Sequence, residues 1–219
     1  MVQTAMTNFK IIPGLVPYSQ GIEIMEHHLN EAIQNPPQET VILLEHEDVY
    51  TAGTSYKPEE LKNPDNIPVI YTGRGGRFTY HGPGQRVIYP ILNLSLPHRL
   101  RDIKKYIKDL ENWIIATLEE FNISAFTKNN MIGIWVSHNG LHKKIAAIGV
   151  RVRKWVTYHG IAVNISTDLS KFDGIIPCGI TSYGVTSMKE LGVEVSMEEF
   201  DVILKRHFER IFGQAIMCH

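Results

Sequence analysis

The chain has 219 residues, 43% of them hydrophobic and 21% charged, proportions that exclude a disordered or coiled-coil protein and suit one large domain or two small ones. Its 22 Lys and Arg against 23 Asp and Glu give a net charge of −1, so no whole-chain field argues for nucleic acid or an anionic membrane. Two cysteines, Cys178 and Cys218, are too few for a disulfide framework and lack the CxxC spacing of a zinc site, so a reduced, cytoplasmic protein is expected.

The N-terminal stretch lacks the basic residues and unbroken apolar run of a signal peptide, and no apolar run approaches the ~18–20 residues that span a bilayer, so neither export nor membrane insertion is expected. The first predicted element is a helix within Ser19–Ile33, where Ile22, Met25, Leu29 and Ile33 recur at helical spacing before Asn35-Pro36-Pro37. Thr40–Leu44, Val49–Ala52 and Ile67–Tyr71 are short β-branched runs between breakers and read as strands. Gly73–Gly84 holds six glycine or proline residues around a brief strand, Phe78-Thr79-Tyr80, and Arg86–Leu94 resumes as a strand.

From Arg101 to Phe121 a single apolar stripe, including Ile103, Tyr106, Leu110, Trp113 and Leu118, predicts a long amphipathic helix. Met131–Val136, Lys144–Arg153 and Val156–Ile165 follow as strands of an antiparallel meander, with turns at Asn139-Gly140 and around Lys154. A last helix begins near Ser196 with a Ser-Met-Glu-Glu capping box. Runs of strands interrupted by three helices predict α+β, a mixed sheet flanked by helices, rather than alternating β-α units. Residues 1–219 are expected to form one domain, with the chain from about residue 187 as a small α-rich appendage.

The chain has no GxxxxGK[ST] phosphate loop, no HExxH and no GxSxG elbow, and Phe78 stands where GxGxxG needs its last glycine. Its ten histidines are scattered, so no metal site is expected. Three segments carry more chemistry. In Arg74-Gly75-Gly76-Arg77-Phe78-Thr79-Tyr80-His81-Gly82-Pro83-Gly84-Gln85 glycines remove bulk while Arg, Tyr, His and Gln supply polar groups, which suits close approach to a ligand and equally suits a tight hairpin. Ala146, Ala147, Gly149, Gly160 and Ala162 on paired strands leave either an open groove for an acyl chain or room for close packing on the sheet. Pro177-Cys178-Gly179 presents a thiol on a turn, a nucleophile's setting, although a lone cysteine is more often a small buried hydrophobe.

Two acid-free stretches contain these segments. Between Asp65 and Asp102 lie Arg74, Arg77, Arg86, Arg99 and Arg101; between Glu120 and Asp168 lie Lys128, Lys143, Lys144, Arg151, Arg153 and Lys154. These eleven cations predict a basic surface that docks an acidic partner, against the blander alternative of a solvated face.

RGGRFTYHGPGQ, KIAAIGVRVRKWVTYHGIAVNIS and PCGITSYGVTS, in that order from about Glu45 to Leu191, closely resemble the lipoyl(octanoyl) transferases, the LipB-type octanoyltransferases of lipoate biosynthesis. The resemblance implies the α+β catalytic domain of biotin and lipoate protein ligases. It implies transfer of an octanoyl group from octanoyl-acyl carrier protein to a lysine of lipoyl domains, those of 2-oxo acid dehydrogenase complexes and the glycine cleavage H protein, with no cofactor, nucleic acid or membrane. By motif, Cys178 is the nucleophile that carries the thioester and Lys144 activates it. Arg74, Gly75, Gly76, Arg77, Phe78, Thr79, Tyr80, His81, Ala147, Ile148, Gly149, Gly160, Ile161 and Ala162 correspond to the substrate-binding segments. An unassisted thiol is only a few per cent thiolate at neutral pH, and a nearby ammonium would favour the anion. The alternatives are an ATP-dependent lipoate or biotin protein ligase and a non-catalytic module that binds carrier protein.

Overall fold

The structure, a computed structural model, describes residues 7–63, 65–129, 131–176 and 184–213. Its main sheet runs in the order β1 (Asn8–Val16), β2 (Thr40–His46), β6 (Gln85–Ile91), β10 (Val156–Asn164), β9 (Leu141–Arg153), β8 (Met131–His138), β7 (Ala125–Lys128). Only β1 joins its neighbour in parallel along this path; the other pairs are antiparallel. A two-residue strand, β11 (Gly184–Val185), adds in parallel to β9 at Lys143 and Lys144. A second sheet of three strands has β3 (Val49–Ala52) between β4 (Val69–Tyr71) and β5 (Phe78–His81).

Three helices cover the main sheet, and strand alternation decides which residue meets which helix. Val41 and Leu43 of β2, Ile88 of β6 and Ile161 and Val163 of β10 face α2 (Ile103–Glu119) and α3 (Met197–Phe212). Their neighbours Ile42, Leu44, Val87, Tyr89 and Ala162 face α1 (Tyr18–Gln34). The central strands are thus buried on both sides, which is why they read as nearly continuous apolar runs. α2 begins at Asp102, whose carboxylate accepts from Lys105 N at 3.0 Å, and the expected capping box at Ser196 and Glu199 starts α3.

The chain beyond Ser187, expected as an appendage, places Phe200, Leu204, Phe208 and Phe212 in the same core as α2. Trp113 Nε1 donates to Leu204 O at 2.8 Å, and Phe208 meets the Trp113 ring edge-on at 5.1 Å. The apolar stripe of α3 is therefore part of the principal core. β1, β7 and β11 have no counterpart among the predicted elements. β1 is an edge strand with mostly exposed side chains and a register break between Ile11 and Leu15 around Pro13 and Gly14, so it lacks the unbroken apolar pattern that marks a strand.

Candidate active site

β9 and β10 form one wall of a cavity of ≈ 400 Å³, and the loop before β5 forms another. Arg74, Gly75, Gly76, Arg77, Phe78, Thr79, His81, Lys144, Ala147, Ile148, Gly149, Gly160, Ile161 and Ala162 all line it. The glycine-rich segment and the small-residue strands, far apart in sequence, thus meet around a single space. Gly149 and Gly160 are small for packing reasons as well: a Cβ on Gly160 would lie 2.0 Å from Ile88 O, and one on Gly149 would lie 3.3 Å from Gly75 O. Close packing and an open groove, alternatives in the sequence, are both present here.

Tyr80 does not line the cavity. Its ring packs with Tyr50 and Phe172 in the core beneath the small sheet, and its hydroxyl donates to Asp48. Burial pushes that phenol well above its usual range, so Tyr80 is a structural donor here. Cys178 lies outside the described residues; on either side of it, Ile176 donates its N–H to Glu60 O at 2.8 Å and Gly184 pairs with Lys143.

The loop is held by its own arginine. Arg74 is 8% exposed; its guanidinium donates to Thr51 O at 2.6 Å, Thr51 Oγ1 at 2.8 Å, Gly75 O at 2.9 Å and Arg77 O at 2.8 Å. Five fixed N–H donors suit this task of gathering carbonyls from β3 and the loop. Arg77 pairs with Glu60. Gln85 continues the framework: its amide NH2 donates to Asn164 Oδ1 at 2.9 Å, leaving its oxygen to accept from His81 Nδ1 at 2.7 Å. Asn164 in turn donates to Thr186 O, and Thr186 N to Lys144 O. Hydrogen bonds therefore run from the histidine of the first motif to the backbone of the lysine in the second.

Tyr18, Val87, Tyr89, Val150 and His159 also line the cavity, as do Ile107, Met131 and Ile132. Sequence reading missed most of them because an ordinary apolar or aromatic residue carries no mark of what it faces. Behind the wall, His46 donates through Nδ1 to Val16 O at 3.0 Å and accepts through Nε2 from the Tyr89 hydroxyl at 2.9 Å. Burial lowers His46 and His159 to about 4. It lowers His81 well below the usual imidazole range, with further contributions from His46 and Arg74. These imidazoles are neutral at pH 7, so the apolar cavity has no histidine cation in its wall.

Several cations of the expected basic surface are drawn into ion pairs instead. Arg86 pairs with Asp201 at 3.0 Å and Arg99 with Glu39 at 2.6 Å, both below the surface; Lys143 meets Glu190 at 3.1 Å and Arg153 meets Glu26 at 2.8 Å. Each acid comes from a distant part of the chain. Arg151 and Lys154 on the β9–β10 hairpin and Arg101 before α2 stay exposed. No group of metal-binding side chains occurs among the described residues.

The mixed sheet, its covering helices and the cavity at β9 and β10 can be set beside known proteins. The model of the lipoyl protein ligase A/B catalytic domain matches residues 17–209, and the chain belongs to this family. Within it, the octanoyltransferase of Rickettsia bellii is 59% identical over 208 residues, covering 94% of this chain and 100% of that protein. The bi-partite lipoate protein ligase of Thermoplasma acidophilum superposes with a TM-score of 0.71 at 16% identity, over 95% of this chain and 85% of its own. Biotin protein ligase from Aquifex aeolicus gives 0.57 at 14% identity, over 94% and 70%. The two ligases share the fold, which is the α+β arrangement expected from the sequence.

Proposed function

We propose that this protein takes an octanoyl group from octanoyl-acyl carrier protein onto Cys178 and passes it to a lysine of a lipoyl domain. That it is an enzyme of octanoyl transfer in lipoate biosynthesis follows from its near-full-length similarity to octanoyltransferases. The thioester on Cys178, the carrier-protein donor, the lipoyl-domain and H-protein acceptors and the cytoplasmic location are our reading. The single observation that carries it is the cavity: its apolar strand walls suit an alkyl chain, and Lys144 stands among its lining residues.

In the first step the Cys178 thiolate attacks the carbonyl of the carrier thioester. The C–S bond to the carrier breaks, and the departing thiolate takes up a proton. In the second, the neutral amine of the acceptor lysine attacks the acyl-enzyme, a C–N bond forms, the C–S bond to Cys178 breaks and the amine loses a proton. Lys144 as an ammonium favours the Cys178 thiolate and can return a proton to the leaving thiol. The acyl group arrives already activated as a thioester, so the cycle needs neither ATP nor a metal.

The test is intact-mass analysis after incubation with octanoyl-carrier protein in the absence of ATP. Cys178→Ala should form no octanoyl adduct, and an adduct on that variant would remove Cys178 as the nucleophile. A strict requirement for ATP would place the chain with the ligases.

A further inference from the structure

Lys144 owes its position to an irregularity in the sheet. The register between β8 and β9 shifts between Ile134, which pairs with Ala146, and Trp135, which pairs with Lys144. This places one extra residue, Ile145, on β9 and breaks the two-residue alternation. Ile145 and Ala146 are both buried in the core under α2, and Lys144 instead joins Ala147 and Gly149 among the residues lining the cavity.

Three residues of β8 receive the redirected side chain. Gly133 has φ of +124°, a conformation that side-chain-bearing residues rarely adopt. A Cβ there would lie 2.8 Å from Ala146 O, 3.2 Å from Lys144 Cε and 3.5 Å from Lys144 Cδ, so the lysine stem crosses β8 over the space left by the missing side chain. At its end, Lys144 Nζ lies 4.8 Å from the centre of the Trp135 ring and donates to Ile132 O at 3.2 Å. Trp135 is 2% exposed, and its Nε1 donates to Met131 O at 3.2 Å. A ring face attracts a cation, and a carbonyl oxygen accepts from any of the three ammonium protons.

We infer that Gly133 and Trp135 are positioning residues that seat the Lys144 ammonium at the cavity wall. This inference rests on the proposed role of Lys144 in activating the thiol. The seat restricts a flexible four-carbon stem, so that the positive charge is in place before the acyl donor arrives. Other charged groups surround it. Lys128 of β7 approaches the same ring at 5.2 Å, Lys143 beside it is paired with Glu190, and Arg74 and Arg77 line the same cavity.

The experiment is the pH dependence of Cys178 alkylation by iodoacetamide in a Cys218→Ser background, with folding of each variant checked by thermal melting. Lys144→Ala should move the alkylation midpoint to higher pH. Trp135→Leu and Gly133→Ala should move it in the same direction, slowing alkylation at pH 7 by roughly two- to thirtyfold, while Trp135→Phe, which keeps a ring face, stays near the parent. Should Gly133→Ala fail to fold, the Trp135→Leu and Trp135→Phe pair decides. A shift in Lys144→Ala with parental profiles in Trp135→Leu and Gly133→Ala overturns the seat alone. Equal shifts in Trp135→Leu and Trp135→Phe overturn the role of the ring face. A parental profile in Lys144→Ala overturns the proposed role of Lys144 and the seat with it.

Discussion

The two acid-free stretches of the chain have similar charge and largely different fates. In the first, between Asp65 and Asp102, Arg74 is buried among carbonyls, Arg77, Arg86 and Arg99 are matched by Glu60, Asp201 and Glu39, and Arg101 remains exposed over the Trp155 ring. In the second, between Glu120 and Asp168, Arg151, Arg153 and Lys154 remain exposed and Lys144 lines the cavity. Charge that is continuous along a sequence is not thereby continuous in space. The first stretch uses most of its cations to brace a loop and to tie layers together, with Arg74 and Arg77 also lining the cavity, and the second keeps several of its cations exposed.

The largest effect that can break this contrast lies in the first stretch. Arg86→Met leaves Asp201 buried without its guanidinium, which should cost about 3–5 kcal/mol of stability in a denaturant titration. Arg86→Met with Asp201→Leu should recover most of that loss, because both buried charges are then gone. Equal stability of the single variant and the parent would return Arg86 to the surface.

A middle-sized effect concerns the neutral histidines behind and within the cavity wall. His46 and His159 have folded values of about 4 against a reference of 6.5. As pH falls below 6.5 the unfolded chain takes up protons that the folded protein does not. Their contribution to stability is therefore full above about 6.5 and declines as pH drops towards 4, by about 3 kcal/mol for each histidine. His159→Gln should flatten this slope between pH 7 and 4 in thermal melts. An unchanged slope would mean that the imidazole is not held neutral by burial.

The smallest effects belong to the exposed hairpin. Charge reversal at Arg151 or Lys154 should weaken association with octanoyl-carrier protein about two- to fivefold at low salt and much less at high salt. Arg153 already pairs with Glu26, so its reversal should matter less than either. Identical affinities for all three, measured across a salt series, would leave the hairpin as a solvated face.

The fold was legible where one face of an element is apolar. The stripe on α2, the capping box of α3 and the turns bounding β8, β9 and β10 all stand where the sequence places them. Edge strands were not legible, because β1 is mostly exposed and β11 has only two residues. The cavity was legible as motifs: thirteen of the fourteen expected binding residues line it. Tyr80 departs because it turns toward Tyr50, Phe172 and Asp48 instead. The aim of Lys144 was hidden for a different reason, since a bulge is a relation between two strands and neither strand alone records it.

The central claim, an acyl group carried on Cys178 next to a seated lysine, is tested most directly by the intact mass of the protein after exposure to octanoyl-carrier protein without ATP. The account predicts one octanoyl adduct on the parent, its loss when a lipoyl domain is added, and none on Cys178→Ala. An adduct on Cys178→Ala, or octanoyl-lipoyl domain produced by that variant at the parental rate, would contradict it.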